Sequence, residues 1–471
     1  MTNSAEYLAY SEALKYDSYL HSLRGALHAA LHYQMIGQSD LKRNQGGIWT
    51  WLLWALTKST CSAPRDLGGF VRSDSSDTYD FFALEMRDAH WGSLFPIARD
   101  LQSAGQNIRI WIPDKTVCTG LEGLKNVEHR TLEECIYRRR TPFLLIVRIL
   151  RHISPVLRLL NLHWDNPNAG RLAQVIWDFE TSKSVWEGLT RVLPSRACFL
   201  TSEGSATHKG MVQAYRASGA RVFHVCHGLP WEYHANSNAT DIIPFSTADA
   251  KWFRKRVATE TTVHECGNPR MSQIHEDFTF RRQPFTSGFP IRVLYLSNGV
   301  EDCYTREHEA QDLSILKLSD QLSKYITLRV RPHPRENREQ LQKALSKSGL
   351  TIDAVTDGSL VDDLEWADIC ATPWSTSLIE AYVCGRACVW TNARNDRMCG
   401  TGDYIDAGIG KVAADSMSWE LIIKDFIKNM AQTAAALPTD DKLVGFGLIK
   451  RSGTQWMDLL KLNSAQKHFQ K

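Results

Sequence analysis

Short apolar runs, each followed by a polar loop and then by apolar residues at helical spacing, recur along most of the chain. SDSSDTYDFFALEM ends in a run that predicts a buried strand. RDAHWGSLFPIARDLQSAG predicts a loop and a helix closing at Gly105, and IRIWIP a second strand. Strand, helix, strand is the βαβ unit of a parallel sheet, whose loops after each strand open on the carboxyl edge where ligands bind. The pattern resumes with a strand at Ala197–Ser202, a helix from about Ala206 to Ser218 and a strand at Arg221–His227. After the polar loop LPWEYHANSNATD come the strand IIPFS, a helical ADAKWFRKRV and VHECGNPR. The turn formers of QPFTSGFP precede a fresh strand, Ile291–Asn298, and mark a boundary between two lobes.

The second lobe reads as a helix over 307–324, strand ITLRVRPHP, helix NREQLQKALSKSG, strand TIDAVTDG, helix SLVDDLEWA, strand DICATP, helix STSLIEAYVCG and strand Arg386–Thr391. MSWELIIKDFIKNMAQTAAAL and LIKRSGTQWMDLLKLN read as closing helices separated by PTDDKLVGFG, and residues 5–35 as a front helix. The expected organisation is a helical extension over 1–70, a first lobe over 71–284, a second over 285–415 and C-terminal helices over 416–471. The expected fold class is α/β, with two doubly wound Rossmann-like lobes facing a cleft.

Composition narrows the classes that this pattern leaves open. A chain of 471 residues with 43% hydrophobic and 23% charged residues is that of a soluble globular protein, which excludes wholesale disorder and small disulfide scaffolds. A net charge of +3 excludes a protein built to coat nucleic acid. The eleven cysteines include no C-x-x-C pair, so reduced thiols and no zinc site are expected. The polar start MTNSAEYLAYSEALKYD predicts no secretory signal, and no apolar window is long enough to predict a membrane span. A cytoplasmic location follows, with peripheral contact at the inner membrane face suggested by two stretches. IWTWLLWALTK (48–58) is rich in tryptophan, and 137–164 carries Arg138, Arg139, Arg140, Arg148, Arg151 and Arg158 among apolar residues. The same basic stretch also suits a core helix with a solvated face.

Candidate chemistry lies in the loops. Ser375, Thr376 and Ser377 stand where a strand gives way to a helix, so hydroxyls and backbone N–H groups converge on a site suited to phosphate. Glu380 follows within reach of a ribose hydroxyl or base edge. VRPHPRE places Arg329, Arg331, His333 and Arg335 at a strand end, offering charge-assisted hydrogen bonds to phosphate oxygens. Ser297, Asn298 and Gly299 supply a third wall.

On VCHGLP, ECGNPR, RPHP and STSLIEAYVCGRACV, in that order over roughly 197–392, the chain resembles glycosyltransferases of the GT-B fold that build bacterial surface polysaccharides from nucleotide sugars. Arg331–Pro334 and Ser375–Ser377 look like the His-Pro and Ser-Ser/Thr motifs that hold CMP in the sialyl- and Kdo transferases. His227 and Gly228 match a His-Gly pair shared by the polyol-phosphate transferases of teichoic acid synthesis. The first lobe has no clear match for the acidic-acidic-Gly motif of many sialyltransferases. The resemblance implies transfer of a sugar, such as Kdo or another acidic sugar from a CMP donor, to a growing capsule or lipopolysaccharide glycan. It implies no metal and no cofactor beyond the nucleotide-sugar donor.

The first lobe is then expected to hold the acceptor and the catalytic acid or base. Asp88 and His90 in RDAHWG, Glu203 in TSEGS, and His227, Glu232 and His234 in CHGLPWEYH follow strands, with Glu203 and His227 ranked first. A double displacement would instead require a carboxylate nucleophile close to the anomeric carbon, and the sequence does not single one out. Two alternatives stand beside transfer: a nucleotide-sugar epimerase of the same fold, and a non-catalytic subunit of a glycan-export complex.

Overall fold

The computed structural model describes residues 78–83, 88–112, 128–131, 167–230, 237–279, 290–298, 306–334, 336–391, 401–429 and 438–462, with 124, 150 and 234. The expected front extension, the tryptophan-rich 48–58, and 137–164 apart from Leu150 lie outside the described residues, as do Glu232, Gly299 and Arg335.

The first sheet contains β1 (Thr78–Phe82), β2 (Asn107–Ile112), β3 (Glu128–Thr131), β4 (Ala197–Leu200), β5 (Arg221–Val225), β6 (Asp241–Ile243) and β7 (Thr262–Val263). Its order is β3-β2-β1-β4-β5-β6-β7, and all pairings are parallel. Helices α1 (Asp88–Ser103), α2 (Pro167–Val192), α3 (Ala206–Ala217), α4 (Thr247–Arg254) and α5 (Pro269–Thr279) connect and cover these strands. β1 reads TYDFF and is buried along its whole length, as a parallel strand with both faces covered must be. Phe81, Phe199 and Phe223 stand in register on β1, β4 and β5, their rings stacked at 4.7 and 4.6 Å. On the opposite face Phe82, Trp111, Trp186 and Tyr215 form a second core layer.

The second sheet has the order β10-β9-β8-β11-β12-β13 and is also wholly parallel. Its strands are β8 (Ile291–Leu296), β9 (Ile326–Arg331), β10 (Ala354–Val355), β11 (Ile369–Thr372), β12 (Ala387–Thr391) and β13 (Lys411–Ala413). With it come α6 (Arg306–Ile315), α7 (Asp320–Ser323), α8 (Arg338–Ser348), α9 (Leu360–Trp366), α10 (Ser377–Val383), α11 (Thr401–Asp406) and α12 (Ser416–Lys428). The helix expected over 307–324 is broken into α6 and α7, because Ser319 takes extended backbone geometry between them. β10 is shorter than the strand expected from TIDAVTDG.

Past α12 the chain forms α13 (Asp440–Gly445) inside the segment expected only to separate helices, with the Thr439 hydroxyl capping its start. The long final helix expected from LIKRSGTQWMDLLKLN shrinks to α14 (Trp456–Leu459), preceded by Gly453 at φ 77°. Trp456, Leu460 and Leu462 are buried in the first lobe's core, and Tyr79 donates its hydroxyl to the Leu462 carbonyl at 3.2 Å. Trp419, Ile423 and Phe426 of α12 instead pack on the second sheet.

In each sheet the first strand lies between neighbours reached in opposite directions: β1 between β2 and β4, and β8 between β9 and β11. Such reversals open a crevice at the carboxyl ends of the strands.

A candidate active site between the lobes

The first wall of the site is built on Thr201, the residue that follows β4. Its hydroxyl lies 2.8 Å from His90 Nδ1, and its carbonyl oxygen lies 2.9 Å from His227 Nδ1. A carbonyl only accepts, so Nδ1 of His227 carries hydrogen and the neutral ring keeps its lone pair on Nε2. The rings of His90 and His227 stack with centroids 3.9 Å apart. His90 is buried on the first turn of α1, which Asp88 opens; the Asp88 side chain lies outside the described residues.

Glu203 has a different place. Its carboxylate is 3% exposed and accepts from Lys209 Nζ at 3.1 Å, Ser237 Oγ at 2.5 Å and the Asn238 amide at 2.8 Å. Burial alone would raise its pKa, but the Lys209 ammonium, His224 and these hydrogen bonds hold it down to about 2. A carboxylate so satisfied is a poor base and has no open approach to an anomeric carbon. Its expected role as the catalytic base is therefore corrected: Glu203 holds the Ser237 hydroxyl and the Asn238 amide in place. His234 is also buried, and its pKa is pushed down by burial and by its imidazole neighbours.

The second wall comes from the tips of β8, β9 and β11. Glu336 Oε2 accepts from Ser297 Oγ at 2.6 Å and from the His333 amide at 3.2 Å, tying the β8 and β9 tips together. Thr372, the last residue of β11, donates to the Leu296 carbonyl at 2.7 Å and lies 3.3 Å from Asn298 Oδ1, while accepting from the Ser375 amide at 3.2 Å. Asn298 Nδ2 is buried without an acceptor. Ser297, Asn298, His333 and Ser375 thus belong to one cluster across the switch point. Thr376 already has helical backbone angles, and the Ser377 amide donates to Ser375 Oγ at 3.3 Å. Some of the amides expected to meet phosphate are therefore engaged within the turn.

Arg331 and Arg329 leave this cluster. Arg331 donates to Asp363 Oδ2 at 2.5 Å and to the Gly358 carbonyl at 2.7 Å. Arg329 pairs with Asp353 at 3.1 Å and lies over the Trp366 ring. The expectation that Arg331 faces phosphate is corrected, because a buried Asp363 on α9 draws its guanidinium toward β10.

The two walls meet. A Cβ built at Gly228, beside His227, would lie 3.5 Å from Thr376 Cγ2, so the His-Gly loop reaches the start of α10. Arg270 Nε donates to Glu380 Oε1 at 2.5 Å, joining α5 to α10. Tyr404 donates to Asp249 at 2.6 Å, joining α11 to α4. Beneath them one hydrophobic cluster contains Phe245, Phe253 and Met271 together with Leu296, Leu378 and Trp390.

The GNPR segment organises this junction. Asn268, fully buried, accepts at Oδ1 from the Arg270 and Met271 amides and donates from Nδ2 to the Cys226 carbonyl at 2.9 Å, next to His227. Gly267, at φ 88°, packs on the returning chain, where a Cβ would lie 2.4 Å from the Ile449 carbonyl carbon.

Sequence reasoning missed Thr201, Asn268, Arg270, Glu336 and Thr372. Of these, Asn268 and Arg270 lay within ECGNPR, and Glu336 follows RPHPR directly. Among the described residues no group of three or more His, Cys, Asp or Glu side chains is placed to hold a metal ion, and no helix is long and apolar enough to cross a membrane.

No family model matches the chain, and no curated protein matches it. Among solved structures, the chain is similar to a UDP-GlcNAc 2-epimerase from Neisseria meningitidis, with TM-score 0.51 and 13% identity, over 79% of this chain and 96% of that one. It is similar to the UDP-GlcNAc 2-epimerase from Methanocaldococcus jannaschii at TM-score 0.51 and 11% identity, over 82% and 99%. MurG from Acinetobacter baumannii matches at TM-score 0.42 and 12% identity, over 82% and 98%. At these identities the likeness speaks to architecture: the two parallel, doubly wound lobes have the GT-B fold.

Proposed function

We propose that the chain is a nucleotide-sugar-dependent glycosyltransferase that places its donor on the second lobe and its acceptor against the first. The observation that carries this reading is the meeting of the His227–Gly228 loop with the hydroxyl-rich start of α10. Ser297, Asn298, His333, Ser375, Thr376 and Ser377 line the donor phosphate. Asn298 Nδ2 is the buried donor that a phosphate oxygen would satisfy. Glu380 receives a ribose hydroxyl. His227 Nε2 removes the proton of an acceptor hydroxyl, the resulting oxygen bonds to the anomeric carbon, and the carbon–oxygen bond to the nucleotide phosphate breaks. The donor class is a CMP-linked acidic sugar such as Kdo, and the acceptor is a growing capsule or lipopolysaccharide glycan at the inner face of the cytoplasmic membrane. The motif resemblance supports both assignments.

Thermal-shift measurements with CMP, CDP, UDP, GDP and their sugars test the reading, since a ligand at 100-fold over its Kd adds about 2.7 kcal/mol of stability. Selective stabilisation by CMP supports the CMP donor, whereas selective stabilisation by another nucleotide replaces it. Stabilisation by none of them would sink the transferase assignment. An isomerised sugar nucleotide formed without acceptor would establish epimerisation in its place.

A further inference from the structure

Arg270 is held between three parts of the molecule: the Asn268 turn before it, α1 and α10. Pro269 opens α5 with a preset φ, and Asn268 Oδ1 accepts the Arg270 amide at 3.1 Å, so the side chain leaves a fixed point. α1 makes room for it at Gly92, where a Cβ would lie only 2.7 Å from Arg270 Nη1. From there Nε reaches across the junction to Glu380 Oε1, with side-chain exposures of 12% and 5%. The contact engages one oxygen of the carboxylate and leaves Oε2 for a hydroxyl donor. A buried ion pair offsets its desolvation poorly and is weak evidence for a stabilising role, whereas fixing a geometry is a use it serves well.

We infer that Arg270 is the positioning residue for Glu380: from the first lobe it pins one carboxylate oxygen so that the other faces the vicinal hydroxyls of a nucleotide ribose bound on the second. The inference rests on the reading above that Glu380 meets the ribose.

The test compares full-length wild type, Arg270→Met, Arg270→Lys and Gly92→Ala. Each is titrated calorimetrically with whichever of CMP, CDP, UDP and GDP stabilises wild type most, and with the 2′,3′-dideoxy form of that nucleotide. Gly92→Ala displaces the guanidinium while keeping its charge, and so decides the matter if Arg270→Met fails to fold. Wild type should prefer the ribonucleotide about tenfold, the worth of one hydrogen bond to a charged group. Arg270→Met and Gly92→Ala should lose that preference while binding the dideoxy form as wild type does, and Arg270→Lys should keep part of it. Equal binding of both forms by wild type overturns the ribose contact itself. A preference surviving in Arg270→Met and Gly92→Ala overturns the role of Arg270 alone. So does equal weakening of both forms in these folded variants, which would make Arg270 a general lobe contact.

Discussion

His90 and His227 come from different segments of the first lobe, yet their imidazoles stack at 3.9 Å with Thr201 holding both, one through its hydroxyl and one through its carbonyl. This arrangement fixes which nitrogen of His227 can take a proton and leaves His90 as its support.

Replacing His227 by Asn should therefore lower kcat/KM for transfer by about 10²- to 10⁴-fold, the usual worth of a general base. Donor KM should change little. His90→Phe keeps a stacked ring and should cost less, as should Thr201→Val, which removes the hydroxyl but not the carbonyl. Steady-state kinetics decide the order, and full activity in His227→Asn would remove the base from this site.

Glu203 predicts a loss of stability rather than of chemistry. Glu203→Gln leaves the Lys209 ammonium buried without its countercharge and should destabilise by about 3–5 kcal/mol in urea unfolding. With Lys209→Met added, the double variant should recover part of the loss. The folded pKa near 2 lies below the ordinary carboxylate value of 4.5. The stability Glu203 supplies is thus present above about pH 4.5 and lost as pH falls toward 2.

Asp249 has the opposite sign. Burial pushes its carboxyl from 3.8 up to about 7, against the hydrogen bond from Tyr404. Its contribution is complete below about pH 4 and falls away as pH rises through 7. Melting temperatures of wild type should decline between these limits, and Asp249→Asn should flatten that decline. An unchanged profile in the variant would show that the carboxyl does not titrate there.

Gly267→Ala should destabilise by about 2 kcal/mol or more, since its positive φ and the Ile449–Lys450 backbone both exclude a side chain. Asn268→Ala, measured beside it, should cost about 1–3 kcal/mol by orphaning the buried Cys226 carbonyl and the α5 amides.

The strands with strong apolar runs were legible in the sequence: NIRIWI and ACVWT are strands within one residue of their expected ends, IRVLYL starts as expected and stops two residues early, and TYDFF falls within the segment expected to end in a strand. β3 and β13 were not, because EHRT and KVA carry no alternation and pair only at sheet edges. Site residues were legible by position along a strand tip but not by the direction of their side chains. RPHP puts Arg331 and His333 two residues apart, yet Asp363 on α9 draws one guanidinium away, while Glu336 ties the His333 turn to Ser297. Such choices depend on partners distant in sequence, which local spacing does not encode. The same holds for Glu203, whose acidic character was visible and whose Lys209 and Ser237 partners were not.

The return of Trp456, Leu460 and Leu462 to the first sheet sets an order of assembly. During synthesis, β1 to β7 leave the ribosome long before the residues that finish their core, and the entire second lobe is made in between. The amino-terminal half must wait, incomplete, for its last apolar plug, and a nascent chain halted before Trp456 exposes the face that α14 covers.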